Sequence, residues 1–432
     1  MTEGDRLIAE FVAGRFVDPD SGRPVPSPVR RVEIAPTLDG AEAELVASVD
    51  LGGTLAVVCD ENTEPALGDR VARALRGARK VVLDHPKADE ATLALLAERT
   101  RGADALIAVG SGTINDLCKH VGFRDGRPCA VFATAASMNG YVTNTASITD
   151  ANGFKLSLPS QAPRGVFCDL GVLAAAPVRL TRAGIGDALC RSSAQLDWLL
   201  SHILLGTPYS EASYVLQAAD EPVMLEMAGA ATRGDQDALA ALFRVLTLGA
   251  FGVCVIGTSH PGSMGEHSIS HYVDMFARPH PGTLHGEQVG VATRTMTHLQ
   301  EAILRLEVLP ELRPTVFDEA DMRRRYGRAF EACRRAWQAK ALDDAKAAAL
   351  SERLADTWGG IRARLRALML PLARLDAVME SAGVLRSGEE LGLSRAFWQE
   401  AVGHAHQIRD RFSFLDLAWH TGLLESFVEG ER

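Results

Sequence analysis

Histidines are concentrated in one part of this chain. Six of the twelve lie within 39 residues, at positions 260, 267, 271, 280, 285 and 298. His267 and His271 are four residues apart in EHSISHY, so on a helix they share one face. His285 follows in TLHGEQVG, and Asp187 occurs earlier in GIGDALCR. One carboxylate and two imidazoles can bind a divalent transition metal, which polarises a substrate oxygen as a Lewis acid. The alternative is a set of separate surface or helix-capping histidines, the commoner role for any single one.

A second candidate site is a glycine loop. Gly110 and Gly112 follow an apolar run in ALIAVGSGTINDLCKH. At a strand-to-helix junction, glycines let the backbone approach a pyrophosphate, and the N–H groups of the helix then face the anion. The loop lacks the full GxGxxG spacing, so a tight turn is the alternative. Asp60 ends an earlier apolar run, where an acidic residue can accept hydrogen bonds from an adenosine ribose; an ordinary turn aspartate is the alternative.

The elements that position these residues alternate along the first 180 residues. Short apolar runs at 55–59, 80–83, 105–109, 129–132 and 165–168 are separated by stretches with helical spacing at 64–78 and 90–101. Such runs are typical of a parallel sheet that is covered on both faces. Residues 1–180 are therefore predicted to form an α/β dinucleotide-binding domain. Within it, the pair Asn152-Gly153 predicts a β-hairpin.

The pattern changes after Pro177. Residues 181–432 are rich in Ala, Leu, Arg and Glu and have helical periodicity, for example at 341–354 and 361–370. We predict a second, all-α domain that binds the metal and the substrate. Residues 1–50 contain Pro24, Pro26 and Pro28 and suggest an extended segment without a readable function.

Composition narrows the class of protein. The formal net charge is -10 with both signs interspersed, which argues against a nucleic-acid binder that relies on a basic face. The sequence shows no uninterrupted apolar run of about 18 residues, so no membrane span is predicted. The seven cysteines are dispersed, and the N-terminus lacks the pattern of a signal peptide. These features indicate a cytoplasmic protein with reduced thiols, and the base rate favours a homodimer.

Five motifs occur in a fixed order: GSGTIND, TAASMNGYVTNTASIT, GIGDALCRSSAQLDW, SMGEHSISH and HGEQVG. Together they resemble the sn-glycerol-1-phosphate dehydrogenase branch of the iron-containing alcohol dehydrogenases, in the dehydroquinate synthase-like superfamily. The resemblance implies an N-terminal Rossmann-like α/β domain followed by an all-α domain. It also implies NAD or NADP as cofactor and one divalent metal ion, for which zinc, nickel and iron are the candidates.

The resemblance assigns roles to individual positions. The implied metal ligands are Asp187, His267 and His285; the implied pyrophosphate loop is Gly110, Ser111, Gly112, Thr113 and Ile114; further cofactor contacts are Thr134, Ser137, Thr143 and Asp60; and the implied catalytic residue beside the substrate is His271.

Two positions depart from the family pattern. Asn139 stands where the family usually has an aspartate that contacts substrate and nicotinamide. An amide still donates and accepts hydrogen bonds but carries no charge. His260 stands where members often carry an arginine. Both changes bear on the substrate, and in particular on a phosphate group.

The implied reaction interconverts dihydroxyacetone phosphate and sn-glycerol 1-phosphate. The phosphorylated polyol needs cationic partners, for which Lys155 and Arg191 are candidates, although solvated surface charge is the commoner role of such residues. One alternative is an enzyme of the same fold that acts on another polyol or short alcohol. Another is a lyase that resembles dehydroquinate synthase, and a third is a binding module without catalysis.

Overall fold

The computed structural model describes residues 1–151 and 155–431. These residues form two compact units. The first unit comprises Met1–Ala188 and Ser210–Thr258, and the second comprises Leu189–Tyr209 and Ser259–Arg432. Residues 210–258, which sequence analysis assigned to the second domain, therefore pack with the first unit. Each unit therefore combines two separate stretches of the chain.

The first unit contains a parallel sheet. The strands of the described chain are β1 (Arg31–Ala35), β2 (Leu55–Asp60), β3 (Arg79–Leu83), β4 (Ala105–Gly110), β5 (Cys129–Ala133), β6 (Thr145–Thr149), β7 (Lys155–Pro159) and β8 (Gly165–Asp169). Six of them pair in the order β1-β8-β5-β4-β2-β3, and every pairing is parallel. Because β4, β5 and β8 are buried along their whole length, both faces of the sheet are covered.

The five predicted strands are confirmed, and β1 is an addition. It lies within the proline-containing segment that the sequence left unplaced, and it pairs with β8 at the sheet edge. The predicted hairpin is present as the antiparallel pair β6 and β7. Its turn residues Asn152 and Gly153, with Phe154, lie outside the described residues.

The helices account for most of the remaining chain. They are α1 (Glu3–Val12), α2 (Glu42–Ala47), α3 (Asp69–Ala74), α4 (Glu90–Arg99), α5 (Gly112–Asp125), α6 (Leu170–Ala175), α7 (Val178–Ala188), α8 (Cys190–Leu205), α9 (Ala212–Gln217), α10 (Glu221–Ala231), α11 (Gln236–Ile256), α12 (Gly265–Phe276), α13 (His285–Arg305), α14 (Glu319–Tyr326), α15 (Phe330–Gln338), α16 (Asp344–Leu368), α17 (Leu372–Ala382), α18 (Arg395–His404), α19 (Phe414–His420) and α20 (Leu424–Gly430). A π-helical turn, Glu64–Gly68, precedes α3, and short 3-10 turns occupy His260–Gly262, Gly327–Ala329 and Ala405–Gln407.

Helix α11 is the most apolar long helix of the first unit. Among the described residues it is the one helix that is long and apolar enough to cross a membrane, with a mean hydropathy of 2.2 over 18 residues. It packs against α1, α6, α7, α9 and α10, and 78% of that stretch is buried. We interpret α11 as the central core helix of this unit.

The second unit consists of helices α8 and α12 to α20. The prediction of an α/β domain followed by helical structure is confirmed. The two helical stretches predicted at 341–354 and 361–370 form one helix, α16, which continues through Gly359 and Gly360. Its buried residues include Leu350, Leu354 and Trp358, at the four-residue spacing of one helix face.

An acidic network joins the sheet to its helices in the first unit. Asp169 ends β8, caps α6 through the Val172 N–H (3.2 Å), and accepts hydrogen bonds from the Leu38 N–H (2.9 Å) and from Arg70 Nη2 (2.6 Å). Arg70 also pairs with Glu42 at 2.6 Å. Burial opposes the ionisation of Asp169, but its hydrogen bonds and the Arg70 charge outweigh burial and lower its pKa.

This lowered pKa gives a pH-dependent prediction. The stabilisation from Asp169 is fully present above its unfolded pKa of about 3.9 and is lost as pH falls through the lower folded pKa. Asp169→Asn should therefore reduce the free energy of unfolding at pH 7 by about 1–3 kcal/mol, with a smaller difference near pH 3. Urea unfolding followed by circular dichroism at both pH values measures this. Asp356→Asn, at an exposed position of α16, is the control. An Asp169→Asn effect of equal size at both pH values would contradict this account.

Candidate functional site

The glycine loop forms a strand-to-helix junction, as predicted. Strand β4 ends at Gly110, and the 14-residue helix α5 begins at Gly112. A Cβ atom at Gly110 would lie 2.7 Å from the Ile114 Cβ, too close for any residue other than glycine. Ser111 precedes the helix without capping it through its side chain. The loop therefore presents the first turn of α5, including Thr113, at the carboxyl edge of the sheet, where an anionic group is stabilised.

The segment after β5 packs beside this loop. The Thr134 N–H donates to the Gly110 carbonyl at 3.2 Å, which fixes the start of the TAAS segment against the glycine loop. Asp60 ends β2, the strand next to β4 in the sheet. Its Oδ1 accepts hydrogen bonds from the Asn62 N–H (3.0 Å) and the Thr63 N–H (2.8 Å). Asp60 thus has a structural role in its own turn, and its contact with a cofactor stays a prediction.

A buried lysine holds the loop that follows TAAS. Lys119 of α5 is 1% exposed. Its Nζ lies 3.2 Å from Asp116 Oδ1 and donates to the Gly140 carbonyl (2.7 Å), the Thr143 hydroxyl (3.0 Å) and the Thr145 carbonyl (2.7 Å). The Thr143 hydroxyl therefore takes part in holding the loop, and its contact with a cofactor stays a prediction. Lys119 was not predicted as a functional residue; its one signal in the sequence is its position among the apolar residues of DLCKHVG.

Asp187 is fixed by backbone contacts within the first unit. It lies in the last turn of α7 and is fully buried. Its Oδ2 accepts a hydrogen bond from the backbone N–H of Asn139 at 2.7 Å. A Cβ at Gly184 would lie 1.7 Å from the Ala136 carbonyl and 3.2 Å from the Ser137 Cα. Glycine therefore allows α7 to approach the TAAS segment closely and to present Asp187 beside Asn139.

Three of the predicted histidines converge within the second unit. His267 and His271 lie one turn apart on α12, with ring centroids 6.3 Å apart. His285 begins α13, and its ring centroid lies 5.0 Å from that of His267. The packing of α12 against α13 therefore brings together imidazoles that are eighteen residues apart in the chain. His267 is buried, whereas His271 and His285 are half-buried.

Glu266 orients His267. Its Oε1 lies 2.9 Å from His267 Nδ1 and accepts the Met264 N–H at 2.7 Å. Burial opposes ionisation of Glu266, but the hydrogen bond from His267 outweighs it, so the pKa of this carboxyl group is lowered. A carboxylate on one ring nitrogen fixes the tautomer and leaves Nε2 as the ligand atom, the usual arrangement of a metal-binding histidine. The donor set of the second unit therefore fits a transition metal.

Cys190 provides a competing ligand in the same unit. Ligand atoms of Cys190, Glu266 and His267 lie within 4.8 Å of one another. The Cys190 thiol donates to the Gly262 carbonyl at 3.6 Å, and Glu266 is already hydrogen-bonded to His267. We therefore interpret Glu266 as a partner of the histidine rather than as a ligand.

Asp197 links the start of α12 to the start of α19. It accepts hydrogen bonds from the Gly265 N–H (2.9 Å) and the Phe414 N–H (2.9 Å), and from Gln300 Nε2 (3.2 Å). Burial, with the nearby Glu266 charge, raises its pKa to about 8. This role could not be predicted from local sequence, because the partners of Asp197 lie 68 and more residues away.

Comparison with known proteins agrees with this geometry. A family model described as iron-containing alcohol dehydrogenase matches residues 33–177. A glycerol-1-phosphate dehydrogenase (NAD(P)+) of Bacillus velezensis is 31% identical over 376 residues, which cover 84% of this chain and 84% of the relative. The enzyme of the same name from Thermococcus kodakarensis is 30% identical over 275 residues, 62% of this chain and 77% of the relative.

Solved structures show the same fold at lower identity. Maleylacetate reductase from Agrobacterium tumefaciens superimposes with a TM-score of 0.61 and 14% identity, over 94% of this chain and 96% of the other. Glycerol dehydrogenase from Schizosaccharomyces pombe gives 0.59 and 16%, over 93% and 90%. The sequence relatives and the fold together lead to one conclusion: the chain belongs to the iron-containing alcohol dehydrogenase family, in the branch of the glycerol-1-phosphate dehydrogenases.

Proposed function

We propose that this protein is a metal-dependent, NAD(P)-linked oxidoreductase that interconverts dihydroxyacetone phosphate and sn-glycerol 1-phosphate. The observation that carries the proposal is the convergence of His267, His271 and His285, with Glu266 on the first of these rings. It is supported by relatives that carry this activity in their names and cover most of the chain.

In this proposal Asp187, His267 and His285 hold one divalent ion. A carboxylate and two imidazoles suit zinc, nickel or iron, all of which leave coordination positions for a substrate oxygen. The buried Asp187 carboxylate gains from a nearby cation, because a carboxylate away from water needs compensating positive charge. Glu266 fixes the His267 ring, and the Asn139 N–H fixes Asp187.

The glycine loop and the TAAS segment hold the dinucleotide in this proposal. Gly110 to Ile114 present the first turn of α5 to the pyrophosphate, and Thr134, Ser137 and Thr143 line the neighbouring segment. The negative charge of Asp60 at the end of β2 disfavours the 2′-phosphate of NADP, so NAD is the preferred cofactor.

The chemistry divides between the bound groups and the chain. When bound, the ion supplies Lewis-acid polarisation of the substrate oxygen and the nicotinamide supplies or accepts the hydride. The protein orients the reactants and handles the proton of the substrate hydroxyl group. His271, one turn beyond His267, orients the substrate or relays the proton of its hydroxyl group. The Asn139 amide donates a hydrogen bond to the substrate without adding charge.

Metal dependence and substrate are tested in one assay. The protein is stripped of metal, reloaded with zinc, nickel or iron, and assayed for NADH and NADPH oxidation with dihydroxyacetone phosphate, dihydroxyacetone and other ketones. We expect turnover that requires metal, prefers NADH and prefers the phosphorylated ketone. His285→Ala should weaken metal binding about a hundredfold or more, because even a residue that only orients a ligand contributes about 10–100-fold.

The matched control is His280→Ala, which removes an exposed histidine five residues away and should leave metal binding unchanged. If another ketone alone were turned over in a metal-dependent reaction, the protein would still be a dehydrogenase, but dihydroxyacetone phosphate would not be its substrate. Equal metal affinity of His285→Ala and the native protein would overturn the ligand set.

Asn139 gives a second prediction, because its two polar parts have different roles. The backbone N–H holds Asp187, and the side chain takes no part in that hydrogen bond. Asn139→Ala should therefore lower kcat/KM for dihydroxyacetone phosphate about tenfold, the value of one lost hydrogen bond, while metal affinity stays within about threefold. Steady-state kinetics and metal titration measure the two effects. A large loss of metal affinity would show that the side chain, rather than the backbone, supports the metal site.

A further inference from the structure

Two arginines converge on the loop that leads into α12. Arg409 and Arg411 lie in the segment between the 3-10 turn Ala405–Gln407 and α19. Arg409 Nη1 donates to the Ser263 hydroxyl at 3.0 Å, and Arg411 donates to the Ser263 carbonyl and to the Ser259 hydroxyl, the latter at 2.8 Å. Two guanidinium groups that are far from the histidines in sequence thus meet at one short loop.

Neither arginine forms an ion pair with a carboxylate of the described chain. Within the described chain, no carboxylate oxygen lies within 4.0 Å of either guanidinium group, the usual limit for an ion pair. The neighbouring Glu266 is hydrogen-bonded to His267 and Met264 instead. Desolvation lowers the pKa of both arginines and outweighs the opposing charges of Glu266 and Asp410, and the Arg409 charge adds to the lowering at Arg411. Desolvated cations are normally paired, so this pair is suited to an anion from solution.

His260 lies in the same cluster. Its ring packs on Trp198, with centroids 5.7 Å apart. Burial, together with the charges of Arg411 and Arg409, lowers its pKa to about 3, so His260 is neutral at physiological pH. The position at which family members often carry an arginine thus holds an uncharged ring here, and Arg409 and Arg411 supply the positive charge beside it.

The cluster lies close to the candidate metal ligand in the same unit. Ser263, which both arginines contact, is four residues before His267 and two residues before the start of α12, and Arg409 is near enough to Glu266, the partner of His267, for the carboxylate charge to raise its pKa. The N-terminus of the 12-residue helix α12 adds the positive end of its dipole on the same side. In dihydroxyacetone phosphate the phosphorus is separated from the carbonyl carbon by one ester oxygen and one methylene group. The two ends of this substrate that would contact the arginines and the metal are therefore only a few atoms apart.

We propose that Arg409 and Arg411 form the binding site for the phosphate group of the substrate. The inference rests on the proposed function, since it assigns residues to the phosphate end of that substrate. Paired guanidinium groups suit a phosphate because their N–H donors match its oxygens. Both residues are half-buried, so part of their surface is open to solvent.

The test compares phosphorylated and unphosphorylated ketones with Arg409→Met, Arg411→Met and Arg411→Lys. For each methionine variant we expect KM for dihydroxyacetone phosphate to rise about 10–100-fold, the value of one charged hydrogen bond. The loss of kcat/KM for this substrate should exceed the loss for dihydroxyacetone by about tenfold or more. Arg411→Lys should recover part of the loss, because it restores the charge without the fork. Equal losses for both ketones, or none, would overturn the proposal and indicate that the arginines only brace the loop.

Arg313→Met is the matched control. Arg313 also donates to a backbone carbonyl, that of Trp419, and stacks on the same residue, but it lies outside the cluster. It should leave the preference for the phosphorylated ketone unchanged. A shift in that preference as large as in the Arg411 variants would overturn the proposal.

Calorimetric titration with inorganic phosphate separates this proposal from the proposed function. Binding by the native protein that is lost in Arg409→Met and Arg411→Met would support the anion site even if dihydroxyacetone phosphate were not turned over. If neither substitution affected turnover of dihydroxyacetone phosphate, the arginines would not be the phosphate site, but the proposed function would stand. Phosphate binding that is equal in all variants would also reject it.

Discussion

The buried carboxylate of Asp187 is the constraint on which this account depends. A carboxylate removed from water is costly unless hydrogen bonds and positive charge compensate it. In the first unit one hydrogen bond comes from the Asn139 backbone N–H, and the position of α7 that makes it possible requires glycine at 184. The geometry of the main chain therefore fixes the carboxylate, so the side chain at 139 can vary without moving it.

The second unit prepares its ligands in a similar way. Glu266 holds one ring nitrogen of His267, and Asp197 ties the start of α12 to the segment that carries Arg409 and Arg411. The elements that orient the histidine and the arginines are therefore connected by buried hydrogen bonds. Because Glu266 holds His267 and does not itself need to bind metal, this ring is oriented in advance, which reduces the ordering cost of binding.

Local patterns in the sequence predicted the parts of the structure that depend on neighbours in the chain. Continuous apolar runs predicted the central strands, and the four-residue spacing of His267 and His271 placed both on one helix face. The glycine loop was found because its residues are contiguous. The motif order predicted the family, although the pattern alone left the histidines open to a surface role.

Features built from distant segments could not be predicted. Lys119 contacts a loop more than twenty residues away, and Asp197 contacts Phe414 across 217 residues. The arginine pair depends on α12 and the chain before α19 meeting in space, for which RDR carries no local signal. The boundary between the units was also predicted incorrectly, because α11 is distant in sequence from the sheet but packs as a core helix of the first unit.

X-ray absorption spectroscopy of the zinc-loaded protein tests the central claim most directly. We expect nitrogen and oxygen scatterers at about 2.0–2.1 Å with the multiple-scattering pattern of two imidazoles, reduced to that of one imidazole in His285→Ala. A sulfur scatterer at about 2.3 Å would place the ion at Cys190 and contradict the assignment to Asp187, His267 and His285.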